Sequence, residues 1–162
     1  MLINPKDSQI KEVYARFGLA MYQVQCFERT LAILLATVYG PNPQKITRPQ
    51  YEKLFGLYFQ KTLGNLISQI RESITISQEL EIALSKALKK RNWLTHHYFW
   101  ERAAAFMKKE GRESMIEELR EIADFFEDID SKLTAIVEEW GRKQGITEQI
   151  IQRKMRELKN NE

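Results

Sequence analysis

The sequence is short of nearly everything that breaks a helix or crosslinks a chain. Of its 162 residues one is cysteine, four are proline and seven are glycine. A lone thiol, Cys26, excludes an intramolecular disulfide, and on the apolar side of an amphipathic stretch it reads as a buried packing group. The apolar run at residues 32–39 is too short to span a bilayer. Residues 1–7 show no basic region followed by an apolar run and a small-residue cleavage site, so no secretory signal is expected. A cytoplasmic protein without membrane partners is the resulting expectation. No stretch alternates convincingly with a period of two, no internal repeat occurs, and no segment is of low complexity. A net charge of +3 permits RNA or DNA as a partner without arguing for either.

What remains is helical sequence. Hydrophobic residues make up 43% of the chain and charged ones 29%, which excludes gross disorder, and the length predicts one domain over 1–162. A first long helix is capped by Asp7 or Ser8, carries Val13, Phe17, Ala20, Val24, Phe27, Leu31 and Leu35 on one stripe, and stops at Gly40-Pro41-Asn42-Pro43. After a loop to about Pro49, a second helix runs through Leu54, Leu57, Tyr58, Leu63, Leu66, Ile67 and Ile70. Ser77 opens a third, which leads through Leu80, Leu84 and Ala87 into Arg91. Glu110-Gly111-Arg112 marks a break before a fourth long helix with Met115, Leu119, Ile122, Phe126, Ile129, Leu133 and Trp140. Residues 141–145 end it, and Thr147 caps an amphipathic tail helix over about 147–159 carrying Ile150, Ile151, Met155 and Leu158. The fold class expected is all-α, an up-and-down four-helix bundle with a core over about 8–140 and an additional C-terminal helix.

Chemistry concentrates in Arg91-Asn92-Trp93-Leu94-Thr95-His96-His97-Tyr98-Phe99-Trp100. These ten residues hold both histidines and two of the three tryptophans. An arginine keeps its charge, whereas histidine is the side chain suited to giving and taking protons near neutrality. On a helix Asn92 and His96, four apart, share a face, but Arg91 and His96 diverge by about 140°. Arg91 must therefore reach around, or the helix must deform after Leu94. His96 and His97 point to different faces with only Glu101 as a nearby carboxylate, so no metal site is expected. No serine or cysteine has an evident base nearby. His97 reads as a surface or interface residue, Trp93 and Trp100 as packing or dimer contacts, and the aromatic cluster Trp93, Phe99 and Trp100 as apolar area for a dimer. Glu28 interrupts an apolar stripe and needs a partner if buried, for which Arg91 is a candidate. Lys89 and Lys90 add positive charge suited to a phosphate backbone.

Arg91-Asn92-Trp93-Leu94-Thr95-His96, continued to Tyr98, resembles the Arg-x4-His and Arg-x4-His-x-Tyr signature of HEPN domains, all-helical proteins named for higher eukaryotes and prokaryotes nucleotide binding. The position after the third helix and the polar residue following the arginine match that pattern, and the resemblance covers roughly residues 8–140. It implies a metal-independent endoribonuclease without a cofactor, assembled as a homodimer that brings two motifs together. His96 would act as general acid–base, Arg91 would hold the phosphate, and Asn92 would orient His96 or a phosphate oxygen. Products would be a 2′,3′-cyclic phosphate and a 5′-hydroxyl. Tyr98 matches a tyrosine that a partner nucleotidyltransferase antitoxin adenylylates in toxin–antitoxin pairs. The resemblance thus implies a toxin or antiviral-defence effector with a separate antitoxin, either a nucleotidyltransferase or a small protein. The alternative is a non-catalytic helical bundle that binds a protein or nucleotide and keeps the motif for structure.

Overall fold

A computed structural model describes residues 7–42 and 45–160. Residues 1–6 of the stretch read for a leader and Pro43 of the first helix stop lie outside the described residues, as does the side chain of Leu158. The protein is an all-α helical bundle, with no strand among the described residues. In chain order the helices are α1 (Ser8–Tyr39), α2 (Arg48–Phe59), α3 (Leu63–Ser73), α4 (Gln78–His96), α5 (Tyr98–Glu101), α6 (Ala103–Phe106), α7 (Lys109–Lys143) and α8 (Glu148–Lys159).

Local chemistry sets most of these ends. Asp7 Oδ1 accepts the Gln9 N–H at 2.8 Å and caps α1. Thr47 and Gln50 form a reciprocal capping box at α2. Because the first helical N–H groups need no intrahelical partner, Pro49 is accommodated inside the first turn of α2 rather than before it. The Ser77 hydroxyl accepts the Leu80 N–H at 3.1 Å and opens α4.

Two boundaries differ from the sequence expectation. The second helix is two helices, broken at residues 60–62, where the Thr62 hydroxyl accepts the Asn65 N–H at the start of α3. The apolar stripe is split as a result. Leu63, Leu66, Ile67 and Ile70 of α3 are buried, whereas α2 buries none of its residues. Gly111 lies inside α7 and does not break it: a β-carbon there would meet the Ala105 carbonyl oxygen at 2.1 Å, so the glycine permits close approach of the preceding turn. α7 ends within residues 141–145 as expected, with Gly141 still helical and the stop made by Gly145 at φ 81°. There the N–H groups of Gly145 and Ile146 return to the carbonyls of Arg142 and Gly141, a Schellman closure.

The chain packs as two compact units, to both of which α1 and α7 contribute segments. One comprises the described part of Met1–Arg29 together with Ile74–Ser131. Its core holds Val13, Val24 and Phe27 of α1, Leu84, Ala87 and Leu94 of α4, and Met115, Leu119 and Phe126 of α7, with the rings of Phe27 and Phe126 5.5 Å apart. The other comprises Thr30–Ser73 with the described part of Lys132–Glu162, and its core includes Leu31, Leu34, Leu35, Ile67, Ile70 and Leu133. Cys26 is half-buried rather than fully enclosed. Among the described residues no helix is long and apolar enough to cross a membrane.

Candidate functional site

The motif occupies the last two turns of α4 and the break that follows. Leu80, Leu84, Ala87 and Leu94 form the buried stripe of α4, and steps of four and three put Arg91 on that stripe between Ala87 and Leu94. It therefore projects toward the packed side of the helix. Glu28, one residue past buried Phe27, meets it from α1. Arg91 Nε donates to Glu28 Oε1 at 2.7 Å, with the two side chains 30% and 21% exposed. Arg91 Nη1 also donates to Asn92 Oδ1 at 3.1 Å. Glu28, Arg91 and Asn92 are thus one hydrogen-bonded group, and Asn92 orients the arginine rather than the histidine.

His96 stands apart from that group. Its exposed side chain makes no hydrogen bond among the described residues, consistent with the five-residue offset that turns it away from Arg91. Its ring lies 6.3 Å from that of His97, which is also exposed. The helix deforms, but after His96 rather than after Leu94: His97 adopts non-helical backbone angles and separates α4 from α5. A solvent-facing imidazole at a helix end can accept or donate a proton without first giving up a protein partner.

The structure places Tyr98 in the core. It is 1% exposed, wedged among Phe17, Trp93 and Phe99, and its hydroxyl donates to the Met115 carbonyl at 3.4 Å. Burial, reinforced by the charge of Glu118, pushes its pKa well above that of a free phenol. Adenylylation of this hydroxyl would require Tyr98 to leave the core. Trp93 is half-buried, with its indole N–H donating to Glu101 at 2.8 Å. Phe99 packs on Phe17 at 4.9 Å. Of the aromatic cluster expected to supply dimer contacts, only Trp100 stays open, at 86% exposure.

Sequence reasoning missed two features. The first is Arg102, which grips both carboxylate oxygens of Glu118, at 2.9 and 2.6 Å, and lies 5.0 Å from the centre of the Trp93 ring. An arginine one residue past a short helix carries no local signal that it will do this. The second is a cavity of about 720 Å³ in the second unit. Ile33, Ile46, Val137, Ile146 and Ile151 line it, together with Tyr51, whose pKa burial raises against an opposing hydrogen bond from Thr37. Its walls come from α1, α2, α7, α8 and two loops, so no single stretch of sequence announces it. Among the described residues no group of three or more His, Cys, Asp or Glu is placed to hold a metal ion. Compared with protein-family models, with curated proteins and with solved structures, the chain matches none.

Proposed function

We propose that this protein is a metal-independent endoribonuclease of HEPN type, acting as a toxin or antiviral-defence effector. One observation carries the reading: a fixed cation and a free imidazole lie at the same helix end, each in the state its role needs. Glu28 and Asn92 hold the Arg91 guanidinium in place, and Nη2 is left to bind a phosphate oxygen. His96 is exposed and unbonded. In the proposed reaction the substrate's 2′-oxygen loses its proton to an imidazole and attacks the adjacent phosphorus. The bond from phosphorus to the 5′-oxygen then breaks, and an imidazolium protonates the departing oxygen. A 2′,3′-cyclic phosphate and a 5′-hydroxyl result, and no water is consumed. Arg91 stabilises charge that grows on the non-bridging oxygens.

Two proton transfers favour two imidazoles, so a homodimer belongs to this reading. Trp93 and Phe99 pack within their own unit, and α1 offers the apolar surface instead, with Tyr14, Leu19 and Tyr22 exposed at 51%, 43% and 60%. An antitoxin would be a separate chain. The test is incubation of purified protein with RNA in EDTA, wild type beside His96→Ala, followed by analysis of the product ends. Cyclic phosphate ends from wild type alone support the proposal, and cutting that persists in His96→Ala refutes it.

The Arg91–Glu28 pair also favours a second reading, a non-catalytic bundle in which the motif is structural, because Glu28 neutralises the cation. Under that reading Arg91→Ala lowers the melting temperature and wild type leaves RNA intact.

A further inference from the structure

We propose that Trp100 is a stacking platform for an unpaired base of single-stranded RNA held beside His96. This inference rests on the nuclease reading for the identity of the strand. Trp100 is 86% exposed, the most open large apolar side chain among the described residues. It follows His96 by four residues, across the break at His97. Trp93, seven residues earlier, shows how this chain treats an indole used for packing: its N–H is bonded to Glu101 and its ring lies close to Arg102. Trp100 has neither arrangement.

Its surroundings suit a nucleic acid better than a second copy of the chain. Ala103 and Ala104 are small and exposed, and Met107 is 40% exposed, so nothing bulky in the turn that follows closes off the indole. Exposed Lys108 and Lys109 follow it, giving cations for the phosphates beside a stacked base, and exposed His96 and His97 precede it with N–H donors. Glu101, the carboxylate beside it, is bonded to Trp93, while Glu110 beyond the lysines is exposed. A two-fold contact centred on Trp100 would set one copy's Lys108 and Lys109 against the other's. It would also rest on few side chains, two of them alanines, where a stable interface uses about 20–30 residues a side. The bases of a duplex already have both faces stacked, so the platform selects single strands.

The experiment measures binding of a fluorescent single-stranded oligoribonucleotide and of its duplex. His96→Ala serves as the parent so that cutting does not intervene, and Trp100→Ala and Trp100→Phe are added to it. Stacking of one base predicts that Trp100→Ala weakens single-strand binding by roughly 5- to 150-fold. Trp100→Phe should retain most of the affinity, and weaker duplex binding should be unchanged. The parent's tryptophan fluorescence should be quenched by the strand, and that quenching should be lost in Trp100→Phe although Trp93 and Trp140 remain. Unchanged single-strand affinity in Trp100→Ala overturns the proposal, as does a parent that binds no single strand. So does light scattering that shows a wild-type dimer becoming a monomer in Trp100→Ala, which would assign the residue to self-association. Binding that depends on Trp100 in a protein that never cuts would sink the nuclease reading and leave the platform standing. Cutting by wild type with Trp100-independent binding would do the reverse.

Discussion

Two arginines eleven positions apart meet a glutamate on a neighbouring helix, and they do so differently. Arg91 and Arg102 are almost equally exposed, at 30% and 32% of their side-chain surface. Arg102 presents Nε and Nη2 to both oxygens of Glu118 and lies close to the Trp93 ring. The hydrogen bonds it donates to Glu118 raise its pKa further. Such a bidentate, stacked guanidinium joins α5 to α7 and has little left to offer a ligand. Arg91 gives only Nε to Glu28 and turns Nη1 toward Asn92, with no ring stacked on it. The contrast separates an arginine whose fork is taken up by one carboxylate from one that keeps Nη2 unbonded.

The strongest way to break this comparison is to remove what lies beneath Arg102. Tyr98→Ala deletes a buried ring that contacts Phe17, Trp93 and Phe99. It should cost ~3–5 kcal/mol, as other buried aromatic truncations do, and chemical denaturation should show the loss. Next, Arg91→Ala should lower RNA cutting by about 10²–10³-fold, the usual effect of losing one oxyanion donor, while circular dichroism remains helical. Arg91→Lys should recover little of this, because a point charge lacks the planar fork. Arg102→Ala should show the opposite profile, with a loss of about 1–2 kcal/mol in stability and less than about tenfold in cutting per folded molecule. Urea melts run in parallel with cutting assays on the two variants would show whether these profiles separate.

The smallest effect sharpens the account of Tyr98. Its hydroxyl makes a long bond to Met115 and lies near the Glu118 carboxylate, so Tyr98→Phe should change stability at neutral pH by about 1 kcal/mol or less. The pH dependence is more diagnostic. The folded phenol has a raised pKa, so it keeps its proton where the unfolded phenol loses it. Its stabilising contribution is therefore complete below about pH 10 and falls away as pH rises above that value. Alkaline melting should accordingly be less steep in Tyr98→Phe than in wild type.

Much of the fold was legible because helical periodicity is a strong signal over long segments. The stripes of α1, α4 and α7 and the caps at Asp7, Ser77 and Thr147 stand where the sequence puts them. Glycine was the poorer guide. Gly111 and Gly141 lie inside α7 because one permits a close approach and the other precedes a stop made by Gly145. The breaks at residues 60–62 and at His97 fall in sequence without proline or glycine, and only the Thr62 cap marks the first of them locally. Within the site, the Glu28–Arg91 pair was readable because both residues interrupt apolar stripes. The burial of Tyr98 was not, since a motif names a residue's chemistry and tertiary packing decides its exposure. The Arg102–Glu118 fork and the cavity depend on contacts distant in sequence.

The central claim is that Arg91 and His96 form a reactive pair at the end of α4. The most direct measurement is the cleavage rate of a single-stranded RNA in EDTA by wild type and by His96→Ala, with the ends of the products identified. The account predicts that His96→Ala loses ~10²–10⁴ of the rate at unchanged helicity, and that wild type leaves 2′,3′-cyclic phosphates. Equal rates in the two proteins, or RNA left intact by both, would contradict it.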